Sequence, residues 1–154
     1  MMRIVATSDS HRRRNNLYDI IDRHRENAEL FINCGDSEGD IENIPYIYPD
    51  VRMECVCGNC DWGSTLPNYK VLKFAGKKIF FCHGHTYGAK FGYERLLEAA
   101  KAEGADICIF GHTHQPYIEK MDGIWLINPG AVCNGCYAVI DIVDGKVNAY
   151  HAKV

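Results

Sequence analysis

The segment RIVATSDSH, Arg3 to His11, decides how this chain is read. Arg3 to Thr7 is a short apolar run of strand type. It stops at four polar residues, two of which, Asp9 and His11, are metal-ligand types. A strand ending in such residues predicts a site outside the carboxyl edge of a sheet. The same arrangement recurs along the sequence. Leu30 to Cys34 stops at Gly35-Asp36, and Val51 to Cys57 stops at Gly58-Asn59. Lys78 to Cys82 stops at His83-Gly84-His85, and Ile107 to Phe110 stops at Gly111-His112-Thr113-His114. Glycine beside most of these ligands lets the backbone turn sharply and keeps the approach open.

The segments between these runs complete the architecture. Leu17, Ile20, Ile21 and His24 mark one face of a helix over Asn15 to Arg25. Tyr93, Leu96, Leu97 and Ala100 repeat at the same spacing, with Gly104 as the C-terminal cap. Tyr69 to Phe74 turns through Ala75-Gly76-Lys77 into Lys78 to Cys82, a hairpin. Further strands are expected at Pro116 to Met121, Ile124 to Asn128, Tyr137 to Val143 and Lys146 to Ala152. The order β-α-β-β, then hairpins with one helix, predicts a mixed α/β protein of two packed sheets flanked by helices.

The 154 residues predict a single domain over 1–154, large enough to bury a real core. A 47% hydrophobic and 24% charged composition fits a globular protein and excludes a disordered one. The net charge of -3 gives no global attraction to nucleic acid or to a membrane surface, so neither is expected as a stable partner. Met1 to Thr7 lacks the apolar core of a secretory signal, and no run approaches the ~18 apolar residues of a spanning helix. The eight cysteines lie largely in or beside apolar runs, which reads as reduced thiols in a cytoplasmic protein.

The strand-end ligands are carboxylates, imidazoles and one amide oxygen. Such mixed N/O sets suit Mn, Fe, Zn, Ni or Co better than an all-thiolate structural zinc centre. Asp36 has no close ligand partner in sequence, as expected of a carboxylate that bridges two ions. Taken together and in order, Asp9-Ser10-His11, Gly35-Asp36, Gly58-Asn59, His83-Gly84-His85, Gly111-His112-Thr113-His114 and Asn128-Pro129-Gly130 resemble the signature blocks of the calcineurin-like metallophosphoesterases. The form Gly58-Asn59-Cys60-Asp61 and the short length resemble the small bacterial and archaeal phosphodiesterase branch.

The resemblance implies a four-layer α-β-β-α sandwich of two mixed sheets. It also implies two divalent metal ions, with manganese the first expectation and Ni, Fe, Co, Zn or Mg the alternatives. Asp9, His11, Asp36 and His114 would hold one ion; Asp36, Asn59, His83 and His112 would hold the other. A metal-activated hydroxide would then hydrolyse a small phosphodiester. Asn59 and His85 are the catalytic candidates, and Arg12, Asn59 and His85 the substrate-binding ones. A homo-oligomer is compatible with the family.

Two departures from the family pattern shape the functional expectation. Many members carry His directly after the Gly-Asn pair; this chain has Cys60, which brings no positive charge and is a poorer acid. That disfavours phosphomonoesters, whose leaving group needs the help, relative to diesters. After Asn128-Pro129-Gly130 the chain also lacks an arginine to grip substrate. The alternatives are a non-catalytic metal-binding scaffold, and a phosphomonoesterase or nucleotidase. Cys57, Cys60, Cys133 and Cys136 form two C-x2-C pairs, which raises a zinc site or a redox pair at Cys133 and Cys136 against ordinary thiols. Trp62 and Tyr87 follow ligand blocks and are candidates for a pocket wall. Arg13 and Arg14 join Arg12 in a basic run before the first helix.

Overall fold

A computed structural model describes all 154 residues. Ten strands form two five-stranded sheets. The first sheet runs β10 (Lys146–Lys153), β9 (Cys136–Val143), β1 (Met2–Thr7), β2 (Leu30–Asn33) and β3 (Met53–Cys55). The second runs β4 (Tyr69–Phe74), β5 (Lys77–Cys82), β6 (Ile107–Ile109), β8 (Ile124–Asn128) and β7 (Tyr117–Met121). Both are mixed in the same way. In the first, β1, β2 and β3 are parallel; in the second, β5, β6 and β8 are. Antiparallel strands complete each sheet. Each sheet therefore carries a parallel trio whose carboxyl ends share one edge, and every ligand block lies just past such an end.

The period-two alternation of the strands sorts side chains into three apolar layers. Ile4, Ala6, Ile32, Ile79, Phe81, Ile109, Ile127 and Ile140 meet between the sheets. Val5, Phe31 and Val139 face outward, against Leu17, Ile20 and Ile21 of α1 (Arg14–His24) and Ile44 of α2 (Ile44–Ile47). Phe80, Cys108 and Leu126 face outward from the second sheet, against Leu96 and Ala100 of α3 (Glu94–Ala102). This is the expected sandwich of two mixed sheets between helices. The predicted stripe on the first helix is the buried one.

Gly104 follows α3 at φ +67°, with its N–H bonded to the Lys101 carbonyl and the Ala105 N–H to that of Ala100. That double bond is a Schellman stop, which favours glycine. The sequence reading has no counterpart for α2: four residues are too few for periodicity, and Pro45 occupies the first turn, where proline is tolerated. Short 3-10 turns at His85–Tyr87, Ala89–Phe91 and Val132–Asn134 also lie below that resolution. The third strand is shorter than Val51 to Cys57, because only Met53 to Cys55 pairs with β2. No helix is long and apolar enough to cross a membrane.

Candidate metal centre

Three loops from the first sheet and two from the second converge at the shared edge. The Asp9 N–H bonds to the Gly35 carbonyl at 2.9 Å and the His11 N–H to that of Asp36 at 3.1 Å. Across the sheets, the His112 N–H donates to Asp9 Oδ2 at 3.0 Å. Two glycines make this approach possible. A Cβ at Gly58 would collide with the Asp36 carboxylate, and one at Gly111 with Ser8 and Asp9.

Among the groups of ligand atoms that result, two hold the carboxylate-imidazole sets: Asp9, His11 and His114, and Asp36, His83 and His112. Asp9 Oδ1 lies 3.4 Å from His11 Nε2, 3.2 Å from His114 Nε2 and 3.9 Å from His83 Nε2. Asp36 Oδ2 lies 3.2 Å from His83 Nε2 and 3.7 Å from His11 Nε2, so its carboxylate touches both groups. His83 Nε2 and His112 Nδ1 are 3.1 Å apart, and His11 Nε2 and His114 Nε2 3.3 Å apart.

Contacts at Nδ1 orient two of the imidazole rings. His83 donates its Nδ1–H to the Cys34 carbonyl at 2.8 Å, and His11 donates its Nδ1–H to Glu38 Oε2 at 2.9 Å. Each ring therefore turns its Nε2 toward the cluster. Asp9 is fully buried, and its Oδ1 has no hydrogen-bond partner. A buried, orphaned carboxylate oxygen ringed by imidazole nitrogens is a donor set that fits a cation.

The backbone carries the same message. Asp9, His11, Asp36, His112 and His114 all have φ between 42° and 71°. The left-handed region costs a non-glycine residue about 1–2 kcal/mol, and such outliers gather at functional sites.

Charge balance holds the site ready. Burial would raise the Asp36 carboxyl, but His83, the Cys60 N–H and His11 outweigh it and keep it well below the usual carboxylate range. Burial of Asp9 is likewise outweighed, by the neighbouring His114 imidazole, the charge of His83 and the Ser8 hydroxyl. Burial and the neighbouring His83 push the His112 imidazole down to about 4, leaving it neutral and free to ligate.

Six of the seven expected metal ligands thus stand together. Asn59 is exposed, and its Nδ2 faces Cys60 Sγ at 3.5 Å. The peptide nitrogen of this turn that reaches Asp36 Oδ1, at 2.8 Å, belongs to Cys60. The Cys60 thiol itself joins His11 and Asp36 in a third group. His85 sits beside the second group, its ring 5.3 Å from that of His83, with a buried Nδ1 that has no partner. Burial and then His83 lower its pKa. Arg12 is 81% exposed at the rim, 3.8 Å from Glu38. The remaining cysteine pairs do not gather into a ligand group; all eight are free thiols, three of them, Cys34, Cys82 and Cys108, deep in the core.

The supporting roles of three residues escaped the sequence reading. Asp61 accepts backbone N–H bonds from Asp36, Glu38 and Gly58, each at 2.8 Å, and so ties two ligand loops together. Asn128 bonds the Gly111 carbonyl at 3.0 Å and takes the Gly130 N–H at 2.9 Å. Glu38 orients the His11 ring through its Nδ1. The position of Asp61 in Gly58-Asn59-Cys60-Asp61 was visible; its partners are up to 25 residues away.

An α/β sandwich whose two parallel trios converge on paired carboxylates and imidazoles defines a metal-binding hydrolase class. The sequence model of the calcineurin-like phosphoesterase superfamily domain matches residues 2–145, and the chain belongs to that family. It is 34% identical over 131 residues to a probable metallophosphoesterase of Bacillus subtilis, YsnB, covering 85% of this chain and 75% of that one. It is 27% identical to the phosphodiesterase MJ0936 of Methanocaldococcus jannaschii, over 99% of both. Among solved structures, a predicted phosphoesterase of Streptococcus pneumoniae superposes with a TM-score of 0.84 at 26% identity, covering 99% of this chain and 89% of that one. The fold is also that of Vps29 from Entamoeba histolytica in its complex with zinc, at a TM-score of 0.73, 19% identity and 99% coverage of both.

Proposed function

We propose that this protein is a phosphodiesterase that works with two divalent ions, manganese first among them, on a small diester in the cytoplasm. The meeting of both ligand groups at Asp36, beside the orphaned Asp9 Oδ1, carries the reading. Asp9, His11, Asp36 and His114 would hold one ion. Asp36, His83 and His112, with Asn59, would hold the other. Bound there, divalent ions supply Lewis acidity toward a phosphoryl group and lower the pKa of water.

The chain's own residues set the substrate. Arg12 at the rim is the cation that meets an anion arriving from solvent. Cys60, in place of an imidazole, adds no positive charge, so a phosphate dianion lacks a partner that a diester monoanion does not need. His85, held neutral, serves to orient or to accept a hydrogen bond more readily than to donate a proton. The decisive experiment is hydrolysis of methyl 4-nitrophenyl phosphate by metal-stripped protein with Mn²⁺ restored, beside the monoester and Asp36→Ala. Diester turnover that requires metal, exceeds monoester turnover and is lost in the variant is expected. Folded, metal-loaded protein with no turnover would replace this reading with a metal-binding scaffold, the alternative that the likeness to Vps29 brings forward.

A further inference from the structure

Beside the ligand groups lies a cavity of about 570 Å³, within the size range of small-molecule sites. It borders the metal centre. Cys60, which groups with His11 and Asp36, and Glu38, which holds His11, both line the cavity. An apolar wall of Ile41, Trp62 and Leu66 also lines it. Trp62 is 91% exposed. A single exposed apolar residue is ordinary, but this one stands on a fixed base. Asp61 before it holds three backbone N–H groups, and the turn closes with the Ser64 N–H on the Asp61 carbonyl at 3.2 Å. A pinned backbone under an open indole offers a flat apolar face for stacking.

The charge on the walls narrows the class of ligand. Glu38 and Glu42 face this cavity against one cation, Arg12, which lies 3.8 Å from Glu38. A second phosphate would be repelled here, whereas N–H donors would find carboxylate acceptors.

We propose that this cavity receives one ester arm of the substrate, an uncharged nucleoside whose base stacks on Trp62 and whose N–H groups face Glu42. The proposal rests on the phosphodiesterase reading for its phosphate, but its test separates the two. Trp125→Phe leaves Trp62 as the only one of the two tryptophans. Its emission is followed in Mg²⁺-loaded protein during titration with adenosine 5′-(methyl phosphate), and in parallel with dimethyl phosphate. Saturable quenching by the adenosine ester alone is expected. Trp62→Ala in the otherwise unaltered chain weakens calorimetric binding of that ester about tenfold, Trp62→Phe retains most of it, and metal affinity is unchanged in both. No quenching, in protein that still turns over methyl 4-nitrophenyl phosphate, would overturn the nucleoside subsite and leave the phosphodiesterase standing. Quenching without any diester turnover would keep the subsite and remove the phosphodiesterase.

Discussion

Removal of the Asp61 carboxylate tests whether the two ligand loops are clamped as the geometry indicates. The side chain accepts the N–H groups of Asp36 and Gly58 on Oδ2 and that of Glu38 on Oδ1, all at 2.8 Å. A hydrogen bond to a charged group contributes about 1.5–3 kcal/mol. The three bonds share one carboxylate that is only partly buried, and water can reach some of the freed donors. Asp61→Ala should therefore cost about 3–4 kcal/mol, less than the sum of three such bonds. Asp61→Asn can place its oxygen toward Asp36 and Gly58 and turn its NH₂ toward Glu38. It then loses one bond and costs about 1.5–2 kcal/mol. Urea unfolding of metal-free protein measures both, provided the slope m is unchanged. Metal titration should show a loss of about tenfold or more, because Asp61 sets the backbone of Asp36 and of the residue that orients His11. An alanine variant within 1 kcal/mol of the parent, or an asparagine variant as damaged as the alanine one, would refute the clamp.

Asp9→Asn keeps an oxygen for the Ser8 hydroxyl and the His112 N–H, and turns an amide toward the imidazoles. Metal affinity should fall more than about 100-fold while the metal-free fold stays within about 1–2 kcal/mol of the parent, as read by titration and urea unfolding. Glu38→Gln weakens the acceptor on His11 Nδ1 and should reduce metal affinity about 10–100-fold, again by titration. Acid sensitivity has a local source at His24. Burial lowers its pKa from the ordinary 6.5, and its Nε2 accepts from the Tyr137 hydroxyl at 2.9 Å. The unfolded chain thus binds the proton first. The stability His24 contributes is complete above about pH 6.5 and is lost as pH falls through the lower folded value. The difference in unfolding free energy between the parent and His24→Gln should shrink over that window in metal-free protein.

Much of this protein is legible along the chain. Apolar runs halted by Asp9, Asp36, His83 and His112 mark strands and site together, because a parallel trio presents all its carboxyl ends on one edge. The face Leu17, Ile20, Ile21 and His24 announces its helix, since burial on one side leaves a 3.6-residue period. A four-residue helix such as Ile44–Ile47 leaves no such trace.

What only the tertiary structure decides is pairing across distance. The sequence names Asp36 as a ligand but cannot show that Asp61 holds its peptide N–H, or that Glu38 points His11 inward. Nor can it show that Cys60, read as a missing imidazole, stands with His11 and Asp36 while Asn59 turns to solvent. These contacts join loops that follow different strands. Their geometry is set by how two sheets pack face to face, a property of the assembled core that no local pattern of residues contains.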